Sequence, residues 1–135
     1  MLLKVIENGK EPTRGSRFSA GIDLYSRVTV ELRQLQTEVI PLGVMIDNEY
    51  VYKVCKEMGI SRYDFVSQFY ILLEPRSSLR AKGVIAGSGI VDMDYNGEIK
   101  LIVHNLNERL VINEGDKIAQ IILLEHQSDL LGVKT

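Results

Sequence analysis

The chain has 135 residues, 45% of them hydrophobic, a net charge of −2 and one cysteine. That supplies one domain, 1–135, with a modest core and no need of a metal or disulfide staple; Cys55 has no internal partner and reads as a small core side chain in a reducing compartment. With no basic tract, duplex nucleic acid is excluded as a partner, because neutralising phosphates takes clustered cations.

The opening run Leu2 to Ile6 reads as a strand, closed by the turn Glu7-Asn8-Gly9-Lys10, and residues 11–19 read as polar and irregular. Ile22 to Tyr25 and Val28 to Leu32 alternate as half-buried strands do, and Glu38 to Ile40 and Val44 to Ile46 flank Pro41-Leu42-Gly43. Phe69 to Leu73, Gly83 to Ile85, Ile99 to His104, Leu110 to Ile112 and Lys117 to Leu124 complete the strands. Many short strands with Gly, Asn and Asp turns predict an all-β, jelly-roll-like barrel or sandwich.

Residues 48–68 break the pattern. Val51, Val54, Cys55 and Met58 are spaced i, i+3, i+4, i+7, a helical stripe expected to be buried. Gly59 suits the position after a helix, and Ser61 with Asp64 suits the start of a second one.

Gly89-Ile90-Val91-Asp92-Met93-Asp94-Tyr95-Asn96-Gly97-Glu98 lies between the runs Lys82 to Ile85 and Ile99 to His104, as the turn region of a hairpin. A carboxylate held there can act as a general base, and a tyrosine three residues later can offer its ring face to a sugar-bearing ligand. Alone, an Asp-rich turn often does no more than solvate a loop. Three further segments accompany it: Ala20 to Ser26, Pro75-Arg76-Ser77-Ser78-Leu79, and Gly115-Asp116-Lys117-Ile118-Ala119-Gln120-Ile121-Ile122.

In this order the four segments resemble the first four of the five signature motifs of the trimeric dUTP diphosphatase (dUTPase) family, over about residues 3–133. The resemblance implies a homotrimer with shared active sites, dUTP as substrate and Mg²⁺ as cofactor. It makes Asp92 the residue that activates the attacking water and Tyr95 the ring against the deoxyribose. Arg76, Ser77 and Ser78 correspond to the phosphate-contacting motif, Ser78 standing where glycine is commonest, and Gln120 to the glutamine that holds phosphate or water. Gly87, Ser88 and Gly89 would read uracil through their backbone; Ala86 stands where some relatives carry an asparagine. Asp23 matches the acid near the metal, reached through water, with a second reading as a buttress for a neighbouring arginine. Asp116 and Asp94 read as turn residues, and His104 and His126 lack metal-ligand spacing.

Two departures accompany the match. The family's fifth, Arg- and Gly-rich motif is not seen before Thr135, and residues 48–68 are the one candidate for a substitute lid. The rival readings are a non-catalytic or regulatory dUTPase-like binding protein and dCTP deaminase. The latter needs a glutamate in the strand after the hairpin, which Ile99 to His104 does not supply. No apolar run is long enough to span a bilayer, so a membrane partner is not expected, and the expected location is the cytoplasm, that of the host if the source is viral.

Overall fold

The computed structural model describes residues 1–87 and 89–135. Twelve strands appear in chain order: β1 (Leu3–Val5), β2 (Thr13–Arg14), β3 (Ile22–Tyr25), β4 (Val30–Leu32), β5 (Thr37–Pro41), β6 (Val44–Ile46), β7 (Phe69–Pro75), β8 (Val84–Ile85), β9 (Gly89–Asp92), β10 (Lys100–Asn105), β11 (Leu110–Ile112) and β12 (Lys117–Glu125). Helices α1 (Asn48–Met58) and α2 (Arg62–Gln68) precede β7, and α3 (Ser77–Ala81) follows it. The pairings are antiparallel: a five-stranded sheet β2-β3-β12-β7-β9, a three-stranded sheet β5-β10-β8, and the pairs β4-β11 and β1-β6. This is the jelly-roll-like β fold expected from the strand pattern.

Alternation places the core. Leu101, Val103 and Asn105 of β10 point inward while Lys100, Ile102 and His104 face out. Ile71 and Leu73 of β7 and Ile118, Ala119 and Ile121 of β12 join the same buried cluster. Asn105 is the polar exception within β10, at 1% exposure. Its amide donates to the carbonyls of Leu32 and Glu108, both at 2.9 Å, and its side-chain oxygen accepts from Asn107 N at 3.0 Å. Nothing in the strand pattern distinguishes it from its neighbours.

Residues 48–68 form two helices as the spacing predicts. Asp47 caps α1 by accepting from Glu49 N, Gly59 ends it at φ 69°, and Ser61 accepts from Asp64 N at the start of α2. The stripe is less buried than expected. Val51 and Cys55 are buried and Val54 half-buried, but Met58 sits on the last turn at 50% exposure.

The hairpin reading needs correction. β8 and β10 pair only through Ile85↔His104 and Val84↔Asn105. Gly89–Asp92 leaves that sheet and is itself a strand along β7, from Gly89↔Leu73 to Asp92↔Tyr70. The reason lies in β7, a seven-residue strand with ladder groups on both edges: β12 satisfies one edge and β9 the other. Two smaller corrections follow. Residues 13–14 pair with β3, and Ser77–Ala81, for which no element was expected, form a helical turn.

Asn105→Leu would remove these bonds from Leu32 O, Glu108 O and Asn107 N, the first of which is buried. The expected loss is about 2–4 kcal/mol, read as a lower melting temperature with unchanged far-UV spectrum.

Candidate functional site

Six of the residues singled out from the sequence, Asp23, Arg76, Ser77, Gln120, Asp92 and Tyr95, fall into two clefts. The first, of about 530 Å³, is lined by Asp23, Arg76, Ser77 and Gln120 together with the loop Gly15 to Gly21. Sheet register assembles it. A bulge between Lys117 and Ala119 shifts β12 by one residue, so that Gln120 stands opposite Asp23 on β3 and opposite Glu74 on β7. Arg76 follows β7 directly, its N–H bonded to Ile118 O at 2.9 Å, and Ser77 opens α3.

Charge in this cleft is tightly paired. The Asp23 carboxylate, 13% exposed, takes Arg76 Nη1 at 2.8 Å on one oxygen and Lys117 Nζ at 3.5 Å on the other. The buttressing reading of Asp23 is thus the one its contacts display. Two cations thus share one acid: Arg76 lines this cleft, and Lys117 lines the neighbouring cavity that holds Ser78. Glu74 is engaged by Arg80 Nη2 at 2.7 Å. Among the described residues no group of three or more His, Cys, Asp or Glu converges as a metal cage.

The loop wall was missed from the sequence, where residues 11–19 read as irregular. Arg14 donates through Nε and Nη2 to Ser19 O at 3.0 and 2.9 Å, and Ser16 N bonds Ser19 Oγ at 3.0 Å. Gly21 completes the wall: a Cβ there would run into Gln120 Oε1.

The second cleft, about 310 Å³, holds Asp92 and Tyr95 with Ile90, Val91 and Ile102. Tyr95 N bonds Asp92 O at 3.0 Å, a turn that sets both side chains on one rim. Asp92 is exposed, and among the described residues its carboxylate has no hydrogen-bond partner. Ser78 lines a third cavity beside Lys82 and Asp116, away from Ser77. Gly87 is exposed in the loop, Gly89 pairs with Leu73, and neither lines the Asp92 cleft. Ser88 lies outside the described residues. Asp116 holds its turn, accepting from Asn113 N at 2.8 Å.

Asp92 stands opposite Tyr70, and Gln120 opposite Glu74, four residues further along β7. At about 3.3 Å per residue the two clefts are separated by at least about 13 Å. Residues 48–68 line neither cleft; Tyr50 reaches only an apolar groove of about 770 Å³ near the N-terminus. The helices are therefore not a lid over either cleft within one chain.

The dUTPase family profile matches residues 60–134. A deoxyuridine 5'-triphosphate nucleotidohydrolase of Paramecium bursaria Chlorella virus 1 is 33% identical over 125 residues, covering 91% of this chain and 77% of that protein. The chain belongs to the dUTPase family. The dUTPase of Candida albicans is 34% identical over 117 residues; the match covers 85% of this chain and 63% of the longer yeast protein. Among solved structures, the dUTPase of phage phi11 of S. aureus superposes with a TM-score of 0.75 at 21% identity, over 93% of this chain and 89% of that one. A phage 80alpha dUTPase with dUPNHPP gives 0.75 at 19% identity, over 93% and 82%. A variant of the phi11 enzyme coordinates a structural Mg(II) ion. No helix among the described residues is long and apolar enough to cross a membrane.

Beneath the Tyr95 turn, Glu98 is 15% exposed and pairs with Arg27 at 2.7 Å. Burial pushes its carboxyl up, but the Arg27 hydrogen bonds, the Gly43 N–H and the charges of Arg27 and Lys100 outweigh it and hold the group below its ordinary value of 4.5. A lowered carboxyl contributes stability that is present above that value and is lost as pH falls through the lower, folded one. The melting-temperature advantage of the parent over Glu98→Gln should therefore hold from neutral pH down to about 4.5 and shrink below it. A difference that does not shrink below about pH 4.5 would remove the ion pair from the stability account.

Proposed function

We propose that this chain hydrolyses dUTP to dUMP and pyrophosphate. The observation that carries the reading is the convergence of Asp23, Arg76, Ser77 and Gln120, drawn from three separate segments, on one polar cleft in a dUTPase-family chain. Arg76 and Lys117 supply charge for a polyphosphate, and the Ser77 hydroxyl and Gln120 amide supply neutral donors. Asp92, exposed and unpaired within the described residues, is the general base. It takes a proton from a water whose oxygen bonds to the α-phosphorus; the bridging P–O bond breaks and pyrophosphate leaves with the electron pair. The Tyr95 ring packs on the deoxyribose and leaves no room for a 2′-hydroxyl. The backbone of residues 87–89 reads the uracil edge.

Mg²⁺ fits this donor set in one way. Among the described residues there is no carboxylate cage and Asp23 already holds two cations, so Asp23 would hold a phosphate-bound Mg²⁺ through water and not directly. When bound it neutralises phosphate charge.

One chain cannot complete this site. A general base works within about 3 Å of the proton it takes, and the phosphate donors of the same chain lie at least about 13 Å away along β7. A second copy brings the two clefts together, as a homotrimer of shared sites. The cleft of Asp92 is also rimmed by exposed Val39 (51%), Ile90 (71%) and Ile102 (54%), an apolar patch that a neighbouring copy covers.

Asp92→Asn should keep fold and nucleotide binding and lose about a hundredfold or more in turnover, measured as pyrophosphate release at saturating dUTP. An Asn variant as fast as the parent would take Asp92 out of the mechanism. A parent that binds dUTP and releases no pyrophosphate would be the binding module instead, and ammonia released from dCTP would mark a deaminase.

A further inference from the structure

Glu98 and Arg27 touch neither cleft, yet they hold the segment that carries Tyr95. Glu98 Oε2 accepts from Arg27 Nε at 2.7 Å and from Gly43 N at 2.9 Å, and Oε1 accepts from Arg27 Nη2 at 3.1 Å. The fork is bidentate and planar, the geometry that fixes orientation as well as charge. Arg27 is itself fixed, its N–H donating to Pro41 O at 2.9 Å. The next residue is locked too: Ile99 N donates to Val44 O at 2.9 Å, and Leu42 N to Ile99 O at 3.0 Å. Residue 98 is thereby anchored to the β5–β6 turn.

The Tyr95 hydroxyl donates to the backbone oxygen of Glu98 at 3.1 Å. Between them Gly97 leaves room for the phenol; a Cβ there would lie 2.7 Å from its oxygen. The segment 92–98 is therefore pinned at both ends, by Asp92 O···Tyr95 N and by the Glu98 anchor. The ring between them is 42% exposed and, among the described residues, has no other hydrogen bond to hold it. Its orientation follows from where Glu98 is held.

We propose that the Arg27–Glu98 pair is a positioning device that fixes the Tyr95 ring and so sets discrimination between deoxyribose and ribose. It acts through the backbone of residue 98 and touches no substrate atom. The inference rests on the dUTP-hydrolase reading for its functional consequence, while its structural part stands without it.

Two measurements separate these. The first is NMR of ring-labelled tyrosine in nucleotide-free protein, with the Tyr95 signal assigned by its loss in Tyr95→Phe. Arg27→Met and Glu98→Ala should each move that signal toward the free-tyrosine position, and Gly97→Ala, which leaves the ion pair intact, should move it too. The second is kcat/KM for dUTP and UTP. The same three variants should narrow the dUTP/UTP ratio by about tenfold, chiefly by admitting UTP, as expected when a ring that excludes a hydroxyl loses its fixed place. Arg27→Met combined with Glu98→Ala should cost no more than either alone, because one latch is being removed, and Glu98→Gln should retain an intermediate ratio. An unmoved Tyr95 signal overturns the proposal, whatever the activity. A moved signal with an unchanged ratio overturns the specificity role and leaves a purely structural latch. A moved signal in a parent that hydrolyses neither nucleotide counts against the hydrolase reading and upholds the positioning role.

Discussion

The register of β12 between β3 and β7 is the constraint on which the polar cleft depends. Side chains alternate along a strand, so a slip of one residue would turn Gln120 away from Asp23 and bury what should be exposed. The bulge between Lys117 and Ala119 absorbs one residue and restores the match. Its consequences run outward. Ile118 and Ala119 both enter the core, Lys117 stays at the rim against Asp23, and Ile118 O receives the N–H of Arg76. A single irregularity in one ladder thus places side chains drawn from three segments far apart in sequence.

The same sheet that assembles one half of the site holds the other half away. β7 is shared by β12 on one edge and β9 on the other, and the two functional groups attach toward opposite ends of it. A strand is stiff, and no side-chain rotamer spans four residues of it. The separation is therefore a property of the fold rather than of one conformation. It is in keeping with the apolar rim of the Asp92 cleft and with the proposal that this chain's chemistry depends on association.

Much of this was legible in the sequence. Short β-like runs between turn signals located most of the strands, and β10, whose residues alternate exposed and buried, is the clearest instance. The apolar stripe Val51, Val54, Cys55 and Met58 with Gly59 at its end located α1, and Ser61 with Asp64 located the start of α2. The errors have physical causes. The 89–98 segment looked like a turn because it is bounded by glycines, and only the free edge of β7 makes residues 89–92 a strand. The loop 15–19 looked irregular because its order comes from Arg14 gripping Ser19, a contact with no periodicity. Ser77 and Ser78 are adjacent in one motif, yet the helical turn of α3 sends them to different cavities. The Arg27–Glu98 pair spans 71 positions, and no local pattern announces it.

The split site is tested most directly by mixing two inactive chains. Asp92→Asn lacks the base and Arg76→Met lacks a phosphate cation, and each alone should be nearly silent in pyrophosphate release. Unfolded together and refolded as mixed oligomers, they should recover activity if base and cation come from different copies. Random assembly at equal ratio then gives about a quarter of the parental sites both intact groups. Recovery near that fraction is the predicted result. Mixed oligomers, verified by differential tags, that stay as inactive as either variant alone would show that each chain holds its own complete site and would contradict the account.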